Sequence, residues 1–333
     1  MSTPPRLLVT VPRTPELDAA LRAELPRIPV LYAKGAGDGP WPSIEAALVG
    51  VPEREMPGFR AASVPGLRFV QRLYTGLDNF PFHWFPETVM VAGNGGGYAV
   101  PVAEHATALV LALARGLVRD HASVVRGGKH QGPPQMSLVG KTCLVLGYGA
   151  IGAELAPRLK GLGLTVVGVT RTGKPKAGAD AMIPRSQVLS ALARADVVIN
   201  CLPLTRETVG FLGEKEFSAL SPRSILVSVG RGPTIDRGAL TRFLQSHPDF
   251  RVGLDVWWDE RNGLGQLEGG VSLSQFPNAI GTPHTGGLGE EARGWALRHA
   301  MRNLARFFRG ETPLHLARRE DYRGLGDPTH LGE

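Results

Sequence analysis

An arginine, a carboxylate and an imidazole stand just past the ends of short apolar runs. Arg231 follows residues 224–229, Glu260 lies five residues beyond Asp255 at the end of 252–255, and His284 follows 279–282. A guanidinium can grip a planar carboxylate bidentately. An imidazole can pass a proton near neutral pH, and an adjacent carboxylate favours its charged form and fixes the ring. Together the three could bind an organic acid and protonate an oxygen on which negative charge grows. Plainer readings are a satisfied core histidine, a structural arginine and a solvated acid, the last because Asp259, Glu260 and Arg261 stand together. Against them, Arg231 sits between two glycines, and His284 stands after a strand and before Gly286-Gly287.

Such residues need a scaffold that delivers them to one crevice. Residues 141–172, KTCLVLGYGAIGAELAPRLKGLGLTVVGVTRT, form its centre. The apolar run 143–146 meets Gly147, Gly149 and Gly152, and Ile151, Leu155, Leu159 and Leu162 follow at helical spacing before a second strand. A lone GxGxxG is weak, but between strand and helix it has the context a dinucleotide site requires. Gly147 permits the tight turn, Gly149 lets backbone approach a pyrophosphate, and Gly152 lets the helix pack on the sheet. Ala150 and Ile151 open the helix, whose unpaired N–H groups favour negative charge. Pro157, past the first turn, predicts a kink or local adjustment.

Further strands are expected at 196–201, 224–229, 252–255 and 279–282, with helices between them, giving a doubly wound parallel sheet. Ligands of such sheets lie outside the carboxyl ends of the strands. That rule selects 147–152, Thr170, Arg171 and Thr172, Leu202-Pro203-Leu204, Gly230-Arg231-Gly232, Asp255 with Glu260, and His284. An NAD site usually carries an acid about 20 residues past the glycines. Here Thr170-Arg171-Thr172 stands there, with Lys174 and Lys176 beyond and no acid. A guanidinium can hold a 2′-phosphate, so NADP(H) is favoured over NAD(H), which stays possible if Arg171 is merely solvated.

At 333 residues two domains are expected, since single cores rarely grow beyond about 250–300 residues. Apolar content of 43% with 20% charged residues fits a globular enzyme. The net charge of +7 is spread over scattered basic residues, a surface for small anions rather than for nucleic acid. Cys143 and Cys201 fall in apolar runs and read as buried thiols of a reducing compartment. The first apolar run is broken by Pro12 too early for a signal peptide, and 99–114 contains Glu104 and His105, so neither leader nor membrane span is expected. A cytoplasmic protein follows, with no membrane, nucleic-acid or metal partner.

Before the glycine-rich unit, Thr14-Pro15-Glu16 starts a helix, and apolar runs at 28–32, 46–49, 67–73 and 89–92 suggest a small α/β domain. Trp41, Tyr74, Phe80, Phe82, Trp84 and Phe85 are core or the wall of a pocket. Two loops stand out. Gly76 in 74–78 could turn amides towards an anion, and 93–97, Gly-Asn-Gly-Gly-Gly, is either a hinge or a close-approach loop. Residues 102–118 read as one long helix whose Glu104 and His105 serve packing or a hinge, and 119–137 as a projecting arm suited to oligomerisation.

These motifs together resemble the D-isomer-specific 2-hydroxyacid dehydrogenase family. The likeness rests on LVLGYGAIG, CLPLTRETVGFLG, VSVGRG, GLDVWWDE and FPNAIGTPHTGG, and extends through VQRLYTGLDN and VAEHATALVLALAR. It implies an α/β fold of two Rossmann or flavodoxin-like domains, with doubly wound parallel sheets and a cleft between them. Residues 1–98 and 290–333 would form the substrate domain, around an inserted dinucleotide-binding domain at 99–289. A helix over 290–309 would return to the first domain, a polar tail follow from 318, and two connecting helices act as a hinge. The implied reaction passes a hydride between NADP(H) or NAD(H) and a 2-oxo or D-2-hydroxy acid, chiefly as a reductase. His284 would be the proton donor, Glu260 its partner and Arg231 the carboxylate anchor. Tyr74, Thr75, Gly76 and Leu77 would bind substrate. Leu202, Pro203, Thr208, Val229, Gly230, Asp255 and Gly286 would join the cofactor site, Asp255 meeting the nicotinamide amide. A homodimer through the dinucleotide-binding domain is also implied. Alternatives are a phosphite-type dehydrogenase or a non-catalytic dinucleotide-sensing interaction protein; a formate dehydrogenase would carry glutamine in place of Glu260. Departures from the family are Ser228 in place of the usual Asn, the stretch 261–274 starting Arg-Asn-Gly-Leu-Gly, and a short connection lacking its tryptophan. Glyoxylate, hydroxypyruvate, phenylpyruvate-like and branched 2-oxo acids all fit.

Overall fold

The expected apolar runs become parallel strands in a computed structural model that describes residues 6–32, 41–56, 59, 61–129, 132 and 134–325. The last part of the polar tail, from 326, and residues 130, 131 and 133 of the expected arm lie outside the described residues. The first stretch alternates β1 (Leu7–Val9), α1 (Pro15–Glu24), β2 (Val30–Tyr32), β3 (Ala46–Val49), α2 (Pro52–Glu55), β4 (Phe69–Arg72) and β5 (Met90–Ala92). These five described strands lie parallel in the order β2-β1-β3-β4-β5, the flavodoxin-like arrangement. Thr14 caps α1, its side chain accepting from Leu17 N, with Pro15 at the first position as the sequence indicated. Phe80 and Phe85 stack at 5.5 Å in the core under this sheet, and Phe82 stacks on Tyr322 at 5.4 Å, so these rings are core rather than pocket wall. Tyr74 alone of this set is exposed.

The glycine run 93–97 is a close-approach segment. A Cβ on Gly95 would lie 2.6 Å from the His315 ring, one on Gly96 2.6 Å from His299 Nε2, and one on Gly97 2.9 Å from Ala296 Cα. Between them Asn94 is fully buried and donates to the carbonyls of Leu73 (2.8 Å) and Ala296 (2.9 Å). Its Oδ1 accepts from His299 Nδ1 at 2.7 Å. Burial pushes the pKa of both His299 and His315 below the ordinary imidazole value.

From Ala99 to Leu288 the chain forms a second compact unit, and from Gly289 to Leu325 it rejoins the first. The second unit runs α3 (Ala99–Ala114), α4 (Leu117–Val125), β6 (Thr142–Leu146), α5 (Ala150–Gly161), β7 (Thr165–Thr170), β8 (Ala181–Pro184), α6 (Val188–Leu192) and β9 (Val197–Asn200). It continues with α7 (Glu214–Ala219), β10 (Ile225–Ser228), α8 (Arg237–Ser246), β11 (Arg251–Leu254) and β12 (Ala279–Gly281). Its described strands are parallel in the order β12-β11-β10-β9-β6-β7-β8, reversing direction at β6, with apolar cores on both faces. Both cysteines are buried there, and burial pushes their thiols up.

Two expectations change. The helix read over 102–118 ends at Ala114, because Gly116 adopts φ 61°, and α4 leaves at 60° to α3. The helix α5 runs unbroken past Pro157, which lies exposed on its surface. Residues 261–274, the stretch that departs from the family, form a tied-down loop: Leu267 and Leu273 are buried, Gln266 pairs with Ser272, and Gly265, Gly269 and Gly270 turn the chain at positive φ. The edge strand β8 had no clear signal, being short, half-buried and closed by Pro184.

The final helix α9 (Ala292–Phe308) buries Leu297, Met301 and Leu304 against Leu7, Val9 and Phe69 of the first sheet. Gly97→Ala should therefore push on the α9 backbone and cost about 1–3 kcal/mol. Gly161→Ala, where an added Cβ meets nothing within 4 Å, should be neutral or stabilising. Denaturant unfolding of both checks this, and equal stabilities would contradict the close-approach account.

Candidate active site

Strands β10, β11 and β12 pair with Ser228, Leu254 and Gly281 side by side, so the turns that leave them emerge at one edge. These turns are knit together. A Cβ on Gly232 would strike the Trp257 backbone, Trp257 Nε1 donates to Thr282 O at 2.9 Å, and Trp258 Nε1 donates to Ile235 O at 2.7 Å. Arg231 is half-buried in the first turn, with Nη1 on Gly230 O at 2.9 Å. His284 Nδ1 lies 2.7 Å from Glu260 Oε2, the histidine part-exposed and the glutamate mostly buried. Nδ1 therefore donates to the carboxylate, and Nε2 has no hydrogen-bond partner among the described residues. His284 holds φ 54°, a conformation that costs a non-glycine residue about 1–3 kcal/mol and persists only where its surroundings over-determine it.

Those surroundings centre on Asp255, which is 2% exposed. Its Oδ1 accepts from Thr282 Oγ1 (2.6 Å) and Thr285 N (2.9 Å), and its Oδ2 from Gly286 N (2.9 Å). His105 Nε2 stands 3.3 Å from the same carboxylate and 3.0 Å from Thr282 Oγ1. Burial raises the Asp255 pKa, but the bonds from His105, Thr282, Gly286 and Thr285 outweigh it and hold the group below the usual carboxylate value. The expected nicotinamide contact of Asp255 thus falls on a group whose oxygens already serve four protein donors. His105 does more than the packing or hinge role read for it, since it reaches a buried carboxylate at the site.

At the glycine-rich turn each glycine has its own surroundings. Gly147 has φ 83°, and its Cβ would lie 2.9 Å from Cys201 O. A Cβ on Gly152 would lie 3.0 Å from the Tyr148 ring and 3.4 Å from Val145, so this glycine seats α5 on the sheet. A Cβ on Gly149 meets nothing within 4 Å, leaving the space before the first turn of α5, at Ala150 and Ile151, open to a pyrophosphate. That open cradle fits a dinucleotide. Facing it, Leu202 N donates to Asn200 Oδ1 at 3.2 Å, and Thr208 Oγ1 ties Pro203 O at 2.6 Å. Ser228, where the family usually has Asn, accepts from Asn200 Nδ2 at 3.1 Å, and Val229 N donates to Asn200 O at 3.0 Å. Gly230 is also confined, because its Cβ would lie 2.9 Å from Leu202 N.

Where β7 ends, Thr170 Oγ1 accepts from Gly173 N at 3.0 Å, and an isolated bridge pairs Thr172 with Pro184. Arg171 Nε meets Glu207 Oε2 at 2.9 Å, both half-exposed. Glu207 was not anticipated, because it belongs to the loop after β9 and only the fold brings it here. In the first unit, the 74–77 loop is braced from behind by Arg72, whose Nη1 donates to Gly76 O at 2.7 Å. Thr75 Oγ1 donates to Asn94 O at 3.1 Å. The amides of Thr75, Gly76 and Leu77 make no bond to another described residue.

Residues 107–286 match the model of the NAD binding domain of the D-isomer specific 2-hydroxyacid dehydrogenases. The glyoxylate reductase of Thermococcus litoralis is 30% identical over 270 residues, spanning 78% of this chain and 79% of that one. Its counterpart from Thermococcus gammatolerans is 31% identical over 284 residues, 82% and 83% of the two chains. A crystal structure from Pyrobaculum aerophilum, provisionally described as a formate dehydrogenase, superposes with a TM-score of 0.78 at 28% identity over 95% of this chain and 99% of that one.

Because a Cβ at Gly149 touches no protein atom, Gly149→Ala should leave thermal stability unchanged while weakening dinucleotide binding about tenfold or more, roughly 1.4 kcal/mol. Titration of cofactor fluorescence beside a melting curve reads both quantities.

Proposed function

Because the chain belongs to the D-isomer-specific 2-hydroxyacid dehydrogenase family, we propose that it is an NADP(H)-preferring reductase that converts small 2-oxo acids to D-2-hydroxy acids. The observation that carries this reading is the pair of His284 and Glu260 at 2.7 Å, beside the turn that bears Arg231. Residues 147–152 would hold the dinucleotide's pyrophosphate, with Leu202, Pro203, Thr208, Val229, Gly230 and Gly286 lining its path. Once bound, the nicotinamide supplies the hydride for reduction or accepts it in the reverse direction. Arg231 anchors the substrate carboxylate and orients the adjacent carbonyl. His284 Nε2 donates the proton to that carbonyl oxygen as charge develops on it, and Glu260 stabilises the imidazolium that must be present beforehand. Tyr74 with the amides of Thr75, Gly76 and Leu77 forms a further carboxylate-binding element.

Preference for NADP(H) is supported by the lack of an acid at the end of β7 and by Arg171 flanked by Thr170 and Thr172. The Glu207 pair does not oppose it. An exposed ion pair is worth about 0–1 kcal/mol, so a phosphate carrying nearly two charges can draw the guanidinium away. A small substrate such as glyoxylate is supported by the names of the two Thermococcus relatives. The formate description of the Pyrobaculum protein prompts a second reading, which Glu260 opposes. Oxidising formate releases no alcohol and calls for no proton donor, whereas an imidazole paired with a carboxylate is arranged to hold a proton.

The second unit also carries exposed Leu117, Val118, Val124 and Val125 on α4, with Val139 beyond it. A stripe of this kind suits self-association, and a homodimer through this unit is part of the proposal. Among the described residues no single helix is long and apolar enough to cross a membrane.

With NADPH and a panel of 2-oxo acids, wild-type protein should turn over at least one substrate, and should do so more efficiently than with NADH. His284→Ala should lower kcat by about 10²–10⁴-fold. Arg231→Ala should raise KM and lower kcat with the NADPH dissociation constant nearly unchanged. Turnover of phosphite alone, or tight NADPH binding without any turnover, would transfer the assignment to the phosphite or sensor reading. Sedimentation should show a dimer that Val124→Glu with Val125→Glu converts to monomer.

A further inference from the structure

The geometry points to His105 and Thr282 as positioning residues for His284, acting through the buried carboxylate of Asp255. His284 stands in the left-handed region at φ 54°, so something must hold the chain on either side of it. Asp255 does this. It accepts from the Thr282 hydroxyl at 2.6 Å, two residues before the histidine, and from the amides of Thr285 and Gly286 at 2.9 Å, just after it. One carboxylate thus straddles the strained residue. The turn is seated tightly on it, since a Cβ at Gly286 would lie 2.7 Å from Asp255 Oδ2.

His105 completes the clamp from a different element. Its Nε2 is 3.0 Å from Thr282 Oγ1 and 3.3 Å from Asp255 Oδ1. An N–H in that place donates to the threonine oxygen, which leaves the threonine proton free to point only at the carboxylate. It also gives the buried Asp255 a fourth donor. Without it the carboxylate, itself only 2% exposed, is under-served, and its hold on both flanks of His284 loosens. Asp255 is thereby engaged by the protein itself, and His284 is oriented by two partners at once: Glu260 fixes the ring, and the clamp fixes the backbone that carries it. The effect on turnover rests on the reductase reading above, whereas the effect on the backbone does not.

The test compares wild type, His105→Ala, His105→Gln and Thr282→Val by steady-state kinetics, NADPH titration and amide hydrogen exchange over residues 282–288. His105→Ala should lower kcat by about ten- to a hundredfold, as misplacement of a reacting group does. Exchange at Thr285 and Gly286 should quicken, with the NADPH dissociation constant changed by less than about twofold. His105→Gln, whose amide can donate from a similar place, should recover most of both losses. Thr282→Val should resemble His105→Ala, and the double variant should be no worse than either alone. The proposal is overturned if His105→Ala exchanges and turns over as wild type does, or if His105→Gln is as impaired as the alanine variant. It is likewise overturned if exchange quickens with kcat intact. Should wild type turn over no 2-oxo acid while exchange still follows the donor at position 105, the reductase reading fails and the backbone clamp stands.

Discussion

The register of three neighbouring strands is the constraint on which the rest of the site depends. With Ser228, Leu254 and Gly281 aligned across β10, β11 and β12, the loops that follow begin within about 10 Å of one another, two strand spacings. Side chains alternate along a strand, so a slip of one residue would turn every buried side chain of β11 to the wrong face. The apolar cores on both faces of the sheet forbid that slip, because β10 and β11 are buried throughout. Stability and function are coupled here at the level of pairing: the hydrogen bonds and burial that hold the sheet also decide that a carboxylate meets an imidazole.

Much of this was legible in the chain. Short apolar runs bounded by glycine or proline have one cheap way to bury themselves, and eleven of the twelve described strands of the two sheets, all but β8, fall where such runs stand. The pairing of Glu260 with His284 was legible for the same reason, since both lie just past strand ends. Less local features were not. Glu207 reaches Arg171 only because the loop after β9 folds over the end of β7, and no spacing in the sequence records that approach. His105 sits in an apolar helix, where a lone imidazole looks like packing until its partner, 150 residues on, is known. The break at Gly116 hid in a run of good helix formers.

Glycine illustrates the same limit in both directions. At Gly149 the absent side chain leaves room for a ligand, while at Gly95, Gly96 and Gly97 it leaves room for two histidine rings and a helix backbone. Composition cannot tell these cases apart, because in both the requirement is empty space beside the Cα. Only the neighbours say whether that space is kept open or already filled.

Filling it with His299 and His315 has a consequence for the first unit in acid. Each ring is more costly to charge in the folded protein than in the unfolded chain, chiefly through burial, and for His299 also through its neighbour. The unfolded chain therefore binds more protons across the interval from the ordinary imidazole pKa, about 6.5, down to the depressed folded values. Through that interval protons act as ligands of the unfolded state. The glycine run that brings the chain so close to these rings makes the first unit a domain whose folding is linked to proton release, full strength above the interval and weaker as pH falls through it.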